Sequence, residues 1–460
     1  MEDQKKTYLF EEAPVSKAVI SMCVPTIISS LVMVIYNLAD TYFVGMLNDP
    51  IQNAAVTLAA PVLLAFNAVN NLFGVGSSSL MSRSLGLKEY DKVRRVSAFG
   101  FYGAVCGGLV FTLVMLIAKG PVLVLLGTDA GTAAATGAYL HWTVTCGAVP
   151  AILNVVMAYM VRSEGSTLHA SVGTMSGCLL NIVLDPIFIL PWGLNMGAAG
   201  AGLATCLSNC AACGYFFVLL AVRRDKTYVC IRPSMFRLDK RIASGVCAVG
   251  IPAAIQNLLN VTGMTVLNNF TSSFGADAVA AMGIAQKINM VPMNIAFGAS
   301  QGVMPLVGYN YASGNAKRMK EAIGFALKIS LSFLTAVALC YYFGAESFVG
   351  MFIKNDAIIA YGARFLHGMC LALPLLNTDF MAVGVFQAAG MGRRAFAFAI
   401  LRKIVMEIPA LYILNALFPL YGLAYAQAVT EVILAAAALI MLRKLFREVE
   451  ERKALSEKDG

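Results

Sequence analysis

The sequence predicts an all-α membrane protein with about twelve transmembrane helices in two pseudo-symmetric six-helix bundles, arranged as a parallel repeat. Three observations carry this reading. Hydrophobic residues make up 59% of the chain and charged residues 13%, with a mean hydropathy of +0.74, whereas a soluble domain carries about 25% charged residues. Apolar runs recur at bilayer-spanning length, about 20 residues each. The second half of the chain also repeats landmarks of the first.

Taken in order, the apolar runs fall at 15–42, 54–80, 95–118, 133–159, 166–190 and 198–222, then at 242–272, 278–307, 322–344, 357–387, 395–416 and 421–442. Several exceed the minimum length, so tilt or kinks are expected. Asp49-Pro50 and Gly275-Ala276-Asp277 are start signals for the second and eighth runs. Residues 1–222 form a first lobe, 223–241 a linker, 242–445 a second lobe and 446–460 a polar tail. No cleavable signal peptide is expected from the polar opening residues Met1 to Lys6.

Basic residues assign the sides. Lys and Arg gather at both ends of the chain and in the even-numbered loops. The sixth loop alone holds Arg223, Arg224, Lys226, Arg232, Arg237, Lys240 and Arg241, and the tail holds Arg452, Lys453 and Lys458. The odd-numbered loops hold Lys119 and Lys354. This asymmetry places both termini in the cytoplasm and requires an even number of spans. It also accounts for the net charge of +9, so nucleic acid is not an expected partner; the lipid bilayer is.

The repeat has an offset of about 225 residues. Val24-Pro25 answers Ile251-Pro252, Phe73-Gly74 answers Phe297-Gly298, and Gly197-Ala198-Ala199 with Thr205 answers Gly422-Leu423-Ala424 with Thr430. Six spans per half keep both halves in the same orientation. Repeats of this kind are common among secondary transporters, with the substrate between them.

Against this apolar background the polar residues stand out. The stretch Asn181 to Pro186 puts Asn181 and Asp185 on one helix face. A carboxylate at that depth costs about 2.5–3.5 kcal/mol on insertion scales. Pro186 removes a backbone donor and disfavours helix at Asp185. A second acid, Asp40, follows Tyr36 and Asn37 in the first run. Two buried acids among amides and a hydroxyl read as a cation or proton site; the alternative is polar glue between helices. Pro25 gives the first helix a place to bend. In the second half, Gln256, Asn260, Lys287, Met290 and Met293 are candidates for a substrate cavity, and Met33, Met157 and Met304 add flexible apolar lining or plain packing. Lys287 either repels cations, pairs with Asp379 or Glu407, or snorkels to an interface. Arg402 and Lys403 lie a turn from Glu407 and either neutralise it or leave it free; Glu431 is open in the same way.

Other chemistries lack their residues. The eleven cysteines sit mostly inside apolar runs and read as packing; Cys206, Cys210 and Cys213 share a stripe with no His or acid beside them. His141, His169 and His367 are too few for a zinc site or a His relay. No Gly-Lys dipeptide occurs, so there is no phosphate loop and no ATPase engine. No nucleophile constellation argues for an enzyme. Energy must come from an ion gradient, and no cofactor beyond H+ or Na+ is expected.

Pro25 and Asp40 in the first run, Asn181 to Pro186 in the fifth, and the Gly197–Ala201 run opening the sixth resemble the multidrug and toxic compound extrusion (MATE) family. The likeness spans nearly the whole chain and is strongest to the DinF-type bacterial branch with its staphylococcal-type multidrug exporters. The resemblance implies an antiporter in the bacterial cytoplasmic membrane, acting as a monomer. It would export small amphipathic, often cationic compounds. It implies a coupling-cation cluster at Tyr36, Asp40, Asn154, Asn181, Asp185 and Thr205, with Na+ as an alternative occupant beside Asp40 and Asp185. Another branch binds sodium through a glutamate in its seventh helix; here that helix offers Gln256, Asn257 and Asn260. The rival within the superfamily is a lipid-linked oligosaccharide flippase.

Overall fold

The computed structural model describes residues 2–224 and 226–456, with side chains placed for 7–224 and 226–451. Lys5, Lys6, Arg452, Lys453 and Lys458 of the charge pattern, and the last residues of the predicted tail, lie outside the described side chains. A short helix, α1 (Glu2–Glu11), precedes twelve helical rods. The first is α2 (Val15–Gly45). The second joins α3 (Pro50–Asn70) through a π-turn, Asn71–Val75, to α4 (Gly76–Gly86). Then come α5 (Tyr90–Leu125) and a broken rod of α6 (Ala133–Leu140), a π-turn His141–Cys146 and α7 (Ala148–Ser163). The first half closes with α8 (Thr167–Ile189) and α9 (Ala198–Val222).

The second half runs α10 (Lys240–Ser272), α11 (Ala276–Ala312), α12 (Ala316–Gly350) and α13 (Asp356–Ala388). The eleventh rod is α14 (Gly392–Ile400), a π-turn Leu401–Glu407 and α15 (Ile408–Leu417); α16 (Tyr421–Ser456) is the last. Among the described residues, nine rods are long and apolar enough to cross a membrane, and a tenth when the two arms of 133–163, bent by 51°, count as one span. The two start signals hold: Asp49 accepts from Ile51 N–H at 2.9 Å with Pro50 opening α3, and α11 begins after Gly275 at φ +100. Pro186 does not end its helix. α8 continues to Ile189, because a proline in a helix forfeits only the single bond to the carbonyl four residues back, here Ile182, and the later turns still form.

The chain forms two compact units, Leu31–Ala254 and Thr7–Ser30 with Ile255–Gly460. The boundaries fall inside α2 and α10, not in the loops. In the first unit, the segment after α9 is pinned down. Glu164 accepts from Thr227 Oγ1 at 2.9 Å and from Tyr228 N–H at 2.8 Å. Cys230 N–H donates to Ser97 Oγ at 2.8 Å, and Tyr90 stacks on Tyr228. α3 and α9 are tied where the Ala198 N–H donates to Gln52 Oε1 at 2.8 Å.

In the second unit, α11 packs on α13 and α13 on α16, around a core that includes Phe365, Leu366, Cys370 and Leu423. Gly302 of α11 admits the backbone of α2: a Cβ there would meet Cys23 Cα at 2.6 Å. Arg318 gathers the carbonyls of Leu9 at 2.9 Å and Ala13 at 2.6 Å, and Phe10 stacks on Tyr309. The stretch expected to be a tail is largely helical, since α16 runs to Ser456. Its Glu448 meets Arg394 at 2.9 Å and its Glu450 pairs with Lys320.

Candidate functional site

The first unit holds a cavity of about 300 Å³ lined by side chains of α2, α3, α7, α8 and α9 and by Thr143 of the π-turn after α6. Close approach of α8 to α9 builds its floor. Gly177 of α8 makes this possible, since a Cβ there would lie 3.1 Å from Ser208 O and from Ala212 Cβ. One turn further along α8, Asn181 faces Thr205.

Asn181 is 1% exposed and Asp185 0%. The Asn181 amide is satisfied at both ends when its nitrogen donates to Asp185 Oδ2 at 2.7 Å and Oδ1 at 3.2 Å and its oxygen accepts from Thr205 N–H at 3.1 Å. Tyr36 and Asp40 arrive from α2. Tyr36 lies beside Thr205 and within electrostatic reach of both carboxyls, and Asp40 is within reach of Asp185. Asp40 Oδ1 is buried with no partner. Five of the six residues carried over from the family resemblance, Tyr36, Asp40, Asn181, Asp185 and Thr205, therefore form one cluster.

Asn154 stands apart. It is buried on the same cavity, but its amide nitrogen is committed to Pro150 O (2.8 Å), Ala151 O (3.0 Å) and Asn209 Oδ1 (3.1 Å). The cavity wall carries Tyr36, Asn181 and Thr205 but neither aspartate.

Sequence reasoning missed four residues here. Asn67, Asn70 and Asn209 line the cavity, and Asn70 is 7% exposed with an unpartnered Oδ1. Tyr139 of α6, 3% exposed, lies within reach of Asp40, Tyr36 and Asp185. The asparagines could have been found as amides inside apolar runs. Tyr139 gave no signal, because a tyrosine in a span is ordinary.

The second unit departs from several expectations. Lys287 is exposed and pairs with neither Asp379 nor Glu407: it lies on the outer face of α11, between buried Ala285 and Ile288 on the inner one. Those acids have other partners. Arg402 Nη1 meets Asp379 Oδ2 at 2.8 Å, Arg402 Nε meets Glu431 Oε1 at 3.2 Å, and Lys403 Nζ meets Glu407 at 2.7 Å. Gln256 accepts from Gln387 Nε2 at 3.1 Å. Asn260 is half-buried one turn on. Met293 packs against a core cluster, Met290 is half-buried with its carbonyl accepting from Asn294 at 2.9 Å, and Met157 and Met304 are core residues. Met33 alone of the methionines lines the cavity of the first unit. Pro25 lies within an uninterrupted α2, five residues before the unit boundary.

Twelve helical rods in two halves, most of them apolar enough to cross a membrane, with carboxyls beside a polar cavity, define a multi-pass membrane transporter built by duplication. The chain belongs to the MatE family, whose model matches twice, over residues 25–187 and 252–413, in register with the internal repeat. It is 34% identical over 444 residues to a multidrug export protein of Staphylococcus aureus strain MRSA252, covering 96% of each chain. Its counterpart in Staphylococcus saprophyticus is 33% identical with the same coverage. Among solved structures, a multidrug resistance MATE transporter in its outward-facing conformation superposes with a TM-score of 0.91 at 26% identity, covering 97% of this chain and 99% of that one. A transporter from Pyrococcus furiosus Vc1, described as having a binding pocket of reversed polarity, gives 0.89 at 26% identity, covering 97% and 98%.

Proposed function

We propose that this protein is a cation-coupled antiporter that exports small amphipathic, often cationic compounds in exchange for protons, by alternating access of two six-helix lobes. The observation that carries this is the Asp40–Asp185 pair: two carboxyls within electrostatic reach, Asp185 0% exposed and Asp40 half-buried with one oxygen that has no partner. A buried charge without a partner is expensive and is relieved by a proton or a cation. Asn181 donates to Asp185 and is itself anchored by the Thr205 N–H. The relatives described as multidrug exporters support the substrate class.

Protons, rather than Na+, suit the site best. Sodium needs several oxygen ligands converging on one point, whereas the Asn181 amide turns its nitrogen, not its oxygen, toward Asp185. The basic loops support both termini in the cytoplasm and a place in the bacterial cytoplasmic membrane; the chain would act as a monomer. A lipid-linked oligosaccharide flippase would want a basic lining for a pyrophosphate; the buried charges beside this cavity are carboxyls. The test is dye efflux from vesicles with a pH or a sodium gradient imposed separately. Uphill export under the pH gradient alone is expected; export driven by sodium alone would overturn the choice of ion, and export under neither would overturn coupling.

A further inference from the structure

The coupling pair is not the largest group of charges inside this protein. The second unit buries four, Asp379 from α13, Arg402 and Lys403 from the π-turn Leu401–Glu407 and Glu431 from α16, with Glu407 of the same turn half-buried beside them. Asp379 and Glu431 are 0% exposed and Arg402 3%. The wide turn has a structural consequence here. Neighbouring positions on a regular helix point about 100° apart, yet Arg402 and Lys403 are both buried, the π-turn bringing both inward.

We infer that the Asp379–Arg402–Glu431 group is a proton-binding site in its own right, holding one proton on Glu431. The charges require it. Lys403 and Glu407, 2.7 Å apart, cancel. Arg402 then faces two carboxyls and balances one, and the groups that act on both acids are those already named and each other. The ring of Phe380 covers the guanidinium, 5.0 Å from its centroid, so no further acid or base joins from that side. An unbalanced charge is costly where both acids are 0% exposed, and a carboxyl escapes that cost by taking a proton.

The Arg402 contact to Asp379, 2.8 Å, is shorter than that to Glu431, 3.2 Å, and on that difference the proton is assigned to Glu431. Binding forms one O–H bond from a solvent proton and release breaks it; no electrons move. The guanidinium occupies the place a metal cation would take, so the ligand is the proton alone. The inference goes beyond the proposed function and does not depend on Asp40 or Asp185.

The test is infrared spectroscopy of the full-length protein in lipid at neutral pH, in an Asp40→Asn/Asp185→Asn background that removes the first site. Exposed carboxyls are ionised there, so a protonated-carboxyl carbonyl band reports a buried acid. One such band is expected in the background protein. Glu431→Gln should remove it. Asp379→Asn should remove it too, because the group is then balanced and Glu431 becomes the guanidinium's partner. No band in the background protein would overturn the inference without any change to the cluster. A band that survives both substitutions would overturn it as well.

Discussion

The Asn181 amide nitrogen lies 2.7 Å from Asp185 Oδ2, one turn along α8, while its oxygen accepts from Thr205 N–H on α9. One amide therefore fixes a carboxyl to a neighbouring helix. Asn181→Ala removes a donor from a carboxyl that is 0% exposed, and an unsatisfied buried group costs about 1–3 kcal/mol. The variant is expected to melt at a lower temperature and to couple poorly. Thermal unfolding in detergent measures the first and dye efflux the second; a wild-type melting temperature would mean that the amide does not hold Asp185.

Asp40→Asn and Asp185→Asn should each bring uphill export down to the level of vesicles without protein while expression is preserved. Insertion into the membrane does not suffer, since a neutral amide is cheaper there than a charge. Export in either variant at the wild-type rate would remove that residue from the coupling mechanism.

These two predictions concern a site that was legible because its spacing is local. Asn181 and Asp185 are four apart, and one turn of helix puts them together whatever the rest of the chain does. Lys403 and Glu407 are legible for the same reason. Arg402 is not, since its partners Asp379 and Glu431 come from two other rods and no local pattern points to them. Lys287 is one of several cations in apolar runs that could pair with those acids by sequence, but it is exposed and pairs with neither. The run lengths gave the twelve rods. They could not show that compact units change inside α2 and α10, because the composition on either side of Ser30 and Ala254 is the same. The cavity was half visible, through Asn154 and Thr205, and half hidden, through Asn70, Asn209 and Tyr139, which only packing brings round.

Arg402→Met should destabilise the protein severely. It leaves Asp379 and Glu431 together with no guanidinium in a site where both are 0% exposed, and stripping one partner from a buried ion pair costs about 3–5 kcal/mol. The triple variant Arg402→Met, Asp379→Asn, Glu431→Gln should recover most of the loss because no charge is left unbalanced. Melting temperatures of the two proteins decide this. A triple variant no more stable than the single would mean that packing around the guanidinium, not charge, is what Arg402 supplies.

α2 should change its bend with pH. Pro25 lacks the N–H that would hold the turn before it, so bending there breaks no bond, and Asp40 sits further along the same helix. Protonation of the Asp40–Asp185 pair removes a repulsion between α2 and α8, and the helix is expected to repack at Pro25 in response. Spin labels at the two ends of α2 should give a distance that differs between acid and alkaline buffer, and Asp40→Asn should abolish the difference. An unchanged distance in a protein shown to transport would rule out the hinge.

Voltage alone should drive export of a monovalent cation. One charge crossing 100 mV is worth about 2.3 kcal/mol, and one pH unit about 1.4 kcal/mol. Exchange of one proton for one monovalent cation moves no net charge, so the pH term works alone and supports about a tenfold gradient per pH unit. Exchange of two protons adds the voltage and a second pH term, roughly 5 kcal/mol together, enough for a gradient of several thousandfold. Asp40 and Asp185 provide two acids within electrostatic reach of each other, which supports the second scheme. Like charges this close resist being ionised together, and this is what the measurement must decide. With the pH gradient clamped to zero and a potassium-diffusion potential imposed on vesicles, a monovalent cationic dye should still move uphill. If it does not, only one proton exchanges per cycle for that substrate.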